Sequence, residues 1–419
     1  MDLRQKKVTI LGFARSGQEA ARLAVLKGAQ IRISDKADTP QIRGAIKNLN
    51  LKNTEVELGG HSEKFIQASD LVVLSPGIRL DSEPVIWAKR KGIPVIGEVE
   101  LGFRFCPATV VAVTGSNGKT TVTTLIGEVL KKTGRKVFVC GNIGNPLCAE
   151  VDKMQKGDLV SLEVSSFQME TIVDFRPHVA VFLNFSCNHL DRHVDMADYL
   201  NQKKRIFLNQ KPDDWAVLNY NDPVVKNLSS GTKARIVYFN SPETKDKSIT
   251  NPNYLAALAV GSIFNVSREE CLEVFRNFKG VEHRMEFIKN IRGIDFINDS
   301  KATTVESALW ALNIIDKPLI MIAGGRDKGL DYTPVRVLAG KKVKELILIG
   351  EAKGKIKKAL AGSLPLKDAG SLQEAVKLAF NDAQNGDCVL LCPMCASFDM
   401  FKNFEERGKL FKELVNNLK

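Results

Sequence analysis

No apolar run in this chain approaches the roughly 20 residues needed to cross a bilayer. The N-terminus passes straight into a strand, Lys7 to Leu11, with no signal-type hydrophobic region before it. Both absences predict a cytoplasmic protein with no membrane partner. The eight cysteines lack the spacing of a disulfide framework. Cys392-Pro-Met-Cys395 has redox-motif spacing, yet it lies in an apolar run from Cys388 to Met400 that reads as a buried strand, so structural, reduced thiols are expected. The basic excess, 60 Lys and Arg against 48 Asp and Glu for a net charge of +12, is spread along the chain. No basic run carries interleaved aromatics, which argues against nucleic acid and for small anionic substrates. Nothing argues for an oligomer, and a monomer is expected.

What is present is a soluble globular composition, 44% apolar and 26% charged, over 419 residues, too long for one core and suited to two or three domains. Its most informative stretch is Val110-Val-Ala-Val-Thr-Gly-Ser-Asn-Gly-Lys-Thr-Thr121. An apolar strand, Val110 to Val113, runs into a tight loop with Gly115 and Gly118, and a helix opens at Lys119-Thr120-Thr121. Inward-pointing backbone N–H groups and the helix N-terminus favour phosphate there. Lys119 would reach terminal phosphates and Thr120 would offer a hydroxyl to Mg²⁺. Val113 stands where the common eight-residue pattern has its first glycine. The stretch predicts nucleotide binding.

Ahead of it, Val8 to Gly17 reads as a strand and glycine turn, Ser16 to Lys27 as a helix, and Ile31 to Ser34 as a strand ending at Asp35, a doubly wound βαβ unit. Ala14 replaces the middle glycine of a dinucleotide fingerprint, which disfavours NAD. Strands at Asp70 to Leu74, before Ser75-Pro-Gly77, and at Ile93 to Gly97 complete this part. After the phosphate loop, Lys136 to Cys140 leads into Gly141-Asn-Ile-Gly144, and Asp158 to Gln168 delivers Glu163, Ser165, Ser166 and Gln168. A carboxylate at a strand end beside a phosphate loop suits Mg²⁺. Further on, His189, Asp191 and His193 alternate, which fits either a transition-metal hydrolase or one His serving the Mg²⁺ cluster. Lys203 and Lys204, in a helical stretch from Tyr199 to Phe207, read on spacing alone as a solvated face. In the last third Met285 to Ile288 and Gly293 to Ile297 read as a hairpin-like pair of strands, Leu319 to Gly329 as a strand and glycine turn, and Leu346 to Gly350 and Cys388 to Cys392 as further buried strands, together another doubly wound domain.

Taken in order, Thr114-Gly-Ser-Asn-Gly-Lys-Thr-Thr121, Gly141-Asn-Ile-Gly144, Glu163-Val-Ser-Ser-Phe-Gln168, His189-x-Asp191 with Tyr199-x-x-x-Lys203, Glu282-His-Arg284, Asn298-Asp-Ser-Lys-Ala-Thr303 and Gly324-Gly-Arg-Asp-Lys328 resemble the motifs of the Mur ligases, ATP-dependent amide ligases of peptidoglycan synthesis. The resemblance covers essentially the whole chain. It implies an α/β fold of three domains: a Rossmann-like domain over 1–97, a central P-loop ATPase-like parallel sheet over 98–280, and a Rossmann-like domain over 281–419. The segment from Cys395 to Gly408, with Ala-Ser-x-Asp-x-Phe-x-x-Phe-x-x-Arg-Gly, resembles the branch that adds D-glutamate to UDP-N-acetylmuramoyl-L-alanine. The Asp-Asn-Pro-x-x-Arg motif of diamino-acid-adding members is absent. Where the family usually has a His-Asn pair, this chain has Thr250-Asn-Pro-Asn253.

The resemblance implies ATP at Gly115, Asn117, Gly118, Lys119, Thr120 and Thr121, with Asn253, Arg284 and Asp299. It implies Mg²⁺ at Thr120, Glu163, His189 and Lys203, the lysine being carbamylated in most of the family. Lys119, Glu163, His189 and Lys203 then carry catalysis. The UDP substrate is expected at Ser16, Asp35, Gly77, Asn142, Ser165 and Gln168, and D-glutamate at Lys301, Thr303, Lys328, Ser397 and the backbone of Phe404. Activation of the L-alanyl carboxylate to an acyl phosphate would precede amide formation. Three rivals stand beside this reading. One is another Mur or folylpolyglutamate-type ligase with a different amino acid, one a nucleotide-dependent nucleic-acid binder, and one a metallohydrolase built on His189, Asp191 and His193.

Overall fold

The computed structural model describes residues 1–49, 54–186, 192–243, 248–327 and 329–418. They form two compact units, Met1–Phe278 and Lys279–Lys419.

The first unit contains two parallel sheets. The first sheet is β1 (Lys7–Leu11), β2 (Gln30–Asp35), β3 (Glu55–Leu58), β4 (Leu71–Leu74) and β5 (Val95–Gly97), in the order β3-β2-β1-β4-β5. Strands covered on both faces read as unbroken apolar runs, as Leu71-Val-Val-Leu74 does. The strand order reverses at β1, and the crevice this leaves at the carboxyl ends of β1 and β4 is where such sheets take ligands. There Ser75 donates to the Gly12 carbonyl at 2.9 Å and Asp35 accepts the Phe13 N–H at 2.6 Å.

The second sheet is β6 (Thr109–Thr114), β7 (Val137–Gly141), β8 (Leu159–Glu163), β9 (Val179–Phe182), β10 (Trp215–Asn219) and β11 (Arg235–Phe239), ordered β11-β10-β9-β6-β8-β7. Val122, Leu125, Ile126 and Val129 of the helix Lys119–Lys131 share one core with Val111 and Val113 of β6 and with Leu255, Ala256 and Val260 of the helix Pro252–Ile263. That burial fixes the helix N-terminus at the end of β6. The helix Glu98–Phe105 follows directly on β5 and is built into the unit. Glu100, fully buried, accepts N–H bonds from Val173, Asp174 and Phe175 and an ion pair from Arg104, so its charge is satisfied.

The second unit holds β12 (Glu286–Ile291), β13 (Ile294–Asn298), β14 (Leu319–Gly324), β15 (Val343–Ile349), β16 (Leu366–Asp368) and β17 (Cys388–Leu391), ordered β12-β13-β17-β14-β15-β16. The β12–β13 hairpin is antiparallel and the rest is parallel. The apolar run from Cys388 to Met400 is strand only to Leu391, because Pro393 has no N–H and Met394 takes φ 58°. Cys392 and Cys395 are buried free thiols, and burial pushes the Cys395 thiol up to about 11. They are packing groups.

Candidate active site

The loop after β6 is shaped by glycine. Gly118 takes φ 81° immediately before the helix Lys119–Lys131, which has no side-chain N-cap and so presents its first N–H groups to a ligand. Lys119 Nζ donates to the carbonyls of Gly115 and Ser116, both at 2.9 Å. Asn184 Oδ1 accepts the Asn117 N–H at 2.8 Å and Thr120 is buried. A Cβ placed on Gly118 would lie 3.0 Å from Asn253 Oδ1, so Asn253 borders the loop.

The pairing of β6 with β8 sets Val113 opposite Glu163, which puts the carboxylate beside the loop. Asn142 donates its N–H to the Glu163 carbonyl at 2.9 Å and its side-chain amide to Oε1 at 2.8 Å. Oε2 of Glu163 is buried with no hydrogen-bond partner. A buried carboxylate oxygen left so is costly unless a cation completes it. Lys203, from the helix Met196–Lys204, is 1% exposed rather than on a solvated face. Its Nζ donates to Gly115 O at 2.8 Å and Thr114 Oγ1 at 3.5 Å, over the Tyr199 ring. Burial first, and the Lys119 charge second, hold its pKa well below the usual lysine value, against the pull of Glu163.

His189 and Asp191 lie outside the described residues, as does Lys328. His193 is buried with both ring nitrogens engaged, Nε2 with Ser166 Oγ at 2.9 Å and Nδ1 with Asp198 Oδ2 at 3.1 Å, which leaves neither for a hydrolase metal. Among the described residues no group of three or more His, Cys, Asp or Glu could hold a metal. Glu163, the Thr120 hydroxyl and a carbamate would instead be the oxygen donors that Mg²⁺ prefers.

At the carboxyl ends of β2, β3 and β4, a cleft of about 580 Å³ is lined by Lys36, His61, Gly77 and Trp87. Asp35 ends β2, one residue before Lys36, and Ser16 stands in the first turn of the helix Arg15–Leu26. Ser165 and Gln168 cap each other's backbone in a capping box, so their polar atoms are already oriented. Sequence reasoning missed Arg192. It donates to the carbonyls of Gly77 at 3.3 Å and Ile78 at 2.9 Å, pairs with Glu170 at 3.0 Å, and stacks on Phe167. Its only signal was a place in the string His189-Leu-Asp-Arg-His193.

In the second unit, β13 ends at Asn298 and opens the loop of Asp299, Lys301 and Thr303. Burial raises the Asp299 carboxyl to about 6, with Arg284, the Met285 N–H and Lys301 opposing. Arg284 lies 5.8 Å from the Trp310 ring centroid, and Lys301 Nζ the same distance from that of Phe404. Ser397 is buried and its Oγ has no partner. Phe404 is the first residue of the helix Phe404–Asn416. Of the predicted acceptor residues that are described, Lys301 and Phe404 are thus brought together, and Ser300 Oγ donates to the Phe404 carbonyl at 2.8 Å. His283 sits beneath Gly408, where any Cβ would strike its ring, and accepts from Asn298 Nδ2 at 2.9 Å, which marks it as a packing residue.

Three family models match the chain. "Mur ligase MurD-like, N-terminal domain" matches residues 6–97, "Mur ligase middle domain" 113–290, and "Mur ligase, glutamate ligase domain" 283–395. The UDP-N-acetylmuramoylalanine–D-glutamate ligase of Caldanaerobacter subterraneus subsp. tengcongensis is 41% identical over 449 residues, covering 100% of both chains. That of Pelotomaculum thermopropionicum is 40% identical, over 100% of this chain and 99% of its own. Among solved structures, the UDP-N-acetylmuramate-alanine ligase of Thermotoga maritima shares the fold with a TM-score of 0.60 at 17% identity, over 99% of this chain and 100% of its own. A pseudomurein peptide ligase type C from Methanothermus fervidus does so with a TM-score of 0.56 at 20% identity, over 99% and 100%.

Proposed function

Because the chain belongs to the Mur ligase family, we infer that it joins D-glutamate to UDP-N-acetylmuramoyl-L-alanine at the expense of ATP, releasing ADP and phosphate. It is an amide ligase of peptidoglycan precursor synthesis. The L-alanyl carboxylate attacks the γ-phosphorus, the bond to ADP breaks and an acyl phosphate forms. The D-glutamate amine then attacks the carbonyl, gives up a proton, and phosphate leaves. Both reactants of the first step are anions, so neutralising charge is the main task.

Lys119 exchanges the carbonyls of Gly115 and Ser116 for the β- and γ-phosphates, and the N–H groups from Gly118 to Thr121 take the rest, with Gly115 and Asn117 shaping the loop. Asn253, Arg284 and Asp299 serve ATP. Thr120, Glu163, His189 and a carbamylated Lys203 would hold Mg²⁺, which when bound neutralises phosphate charge. The buried amine of Lys203, held toward its neutral form, is the nucleophile that adds CO₂, losing a proton to become an anion. Ser16, Asp35, Gly77, Asn142, Ser165 and Gln168 serve the UDP substrate. Lys301, Thr303, Lys328, Ser397 and the Phe404 N–H serve D-glutamate. The division of labour follows residues 1–97, 98–280 and 281–419. The enzyme works as a cytoplasmic monomer, and its described cysteines are free thiols.

The observation that carries the chemistry is the partnerless Glu163 Oε2 buried beside a lysine-bearing phosphate loop. The test is phosphate release from ATP with UDP-N-acetylmuramoyl-L-alanine and, separately, D-glutamate, L-glutamate, meso-diaminopimelate or L-lysine. Release with D-glutamate alone is expected. Release with a diamino acid would overturn the acceptor, and silence with every acid would overturn the ligase.

A further inference from the structure

Arg407 lies one turn inside the helix Phe404–Asn416 and is 1% exposed. Side chains in a helix lean toward its N-terminus, so the guanidinium reaches back under the loops that bracket the acceptor residues. Nε donates to Ser300 Oγ at 3.0 Å, and Nη2 donates to Ser300 O at 2.9 Å and Cys395 O at 3.2 Å. Nη1 reaches Ala396 O at 3.5 Å. Ser300 Oγ passes the link on by donating to the Phe404 carbonyl at 2.8 Å. One side chain therefore joins the residue before Lys301, the residue before Ser397 and the first residue of the helix.

Every one of these partners is neutral. Among the described residues no carboxylate forms an ion pair with Arg407. Asp399 favours its charge only from a distance and accepts the Glu351 N–H instead. A buried cation without a counter-charge is costly. Met or Leu would fill the same volume without that cost, and neither would fasten three carbonyls. The missing counter-charge has a natural source in the ligand, because an acceptor with two carboxylates brings more negative charge than a neutral amino acid.

We propose that Arg407 is a positioning residue for the acceptor: it fastens the Ser300 loop and the Cys395–Ala396 carbonyls into one frame, and its unpaired charge readies that frame for a dianionic amino acid. This rests on the D-glutamate reading above.

Steady-state kinetics on wild type, Arg407→Met and Arg407→Lys, with melting curves for each, test it. In Arg407→Met the KM for D-glutamate should rise about tenfold to a hundredfold while the KM for ATP stays within roughly threefold. Arg407→Lys keeps the charge without the fork, and should recover part of the D-glutamate KM. It also serves if the Met variant does not fold. An unchanged D-glutamate KM in a folded variant, or equal losses for D-glutamate and ATP, would overturn the inference alone. A wild-type enzyme that ignores D-glutamate would overturn the reading beneath it, and the inference with it.

Discussion

Lys119 and Lys203 place their amines on the same carbonyl oxygen, that of Gly115, at 2.9 and 2.8 Å. Two ammonium groups on one acceptor repel, and the fully buried partner gives way. Burial first, and that repulsion second, hold Lys203 toward the neutral amine. A neutral amine adds CO₂ and an ammonium does not. Lys203→Arg, which stays cationic, should lower kcat by about a hundredfold or more. In wild type, isotope-labelled bicarbonate should give a carbamate carbonyl signal that the variant lacks. Its absence from active wild type would remove the carbamate from the account.

Glu163→Gln should leave the bonds with Asn142 nearly intact, since a carboxamide oxygen can still accept at the Oε1 position. What disappears is the charge on the partnerless oxygen. We expect kcat to fall on the order of a hundredfold to a thousandfold, with a much higher Mg²⁺ requirement. A Mg²⁺ titration of phosphate release checks this. A wild-type Mg²⁺ profile in the variant would show that Glu163 does not bind the ion.

Asp299 sets stability against use. Burial raises its folded pKa from 3.8 to about 6, so the folded chain holds the proton more tightly than the unfolded one. Its contribution is fully present below about pH 4 and is lost as pH rises through about 6, a cost on the order of 3 kcal/mol at neutral pH. Asp299→Asn should melt with the wild type near pH 4 and several degrees above it at pH 7. ATP affinity should fall in the same variant. Parallel melting curves across that range would contradict the assignment.

Arg192 ties the Gly77 turn to Glu170 and Phe167. Arg192→Ala should free that turn and raise the KM for the UDP substrate roughly tenfold, with the KM for D-glutamate little changed. Equal rises for both substrates would point to general loosening instead.

The phosphate loop could be read from the sequence because its strand, glycines, lysine and helix are contiguous and each residue's job is local. Asp35 was legible for the same reason, at the end of a short apolar strand. Lys203 was not legible on spacing, since its burial comes from tertiary contacts that carry its amine to Thr114 and the Gly115 carbonyl at the end of β6. Arg407 was visible as a motif letter, while its reach to Ser300 spans a sequence gap that no periodicity reports. The strands Trp215–Asn219 and Arg235–Phe239 passed unread although four of the five residues in each are apolar. The run after Cys388 was overextended because hydrophobicity alone does not show where Pro393 ends a strand.

The strand order of the second unit also bears on how the protein is made. β17 lies between β13 and β14, which are both synthesised long before it. As the chain leaves the ribosome, β13 and β14 must wait with unpaired edges for a strand that supplies both of their missing ladders. The first unit is complete by residue 278 and can already be folded. The nascent polypeptide thus passes through an interval in which its nucleotide loop exists and its amino-acid pocket does not, with two hydrophobic strand edges open to a chaperone or to a second nascent chain.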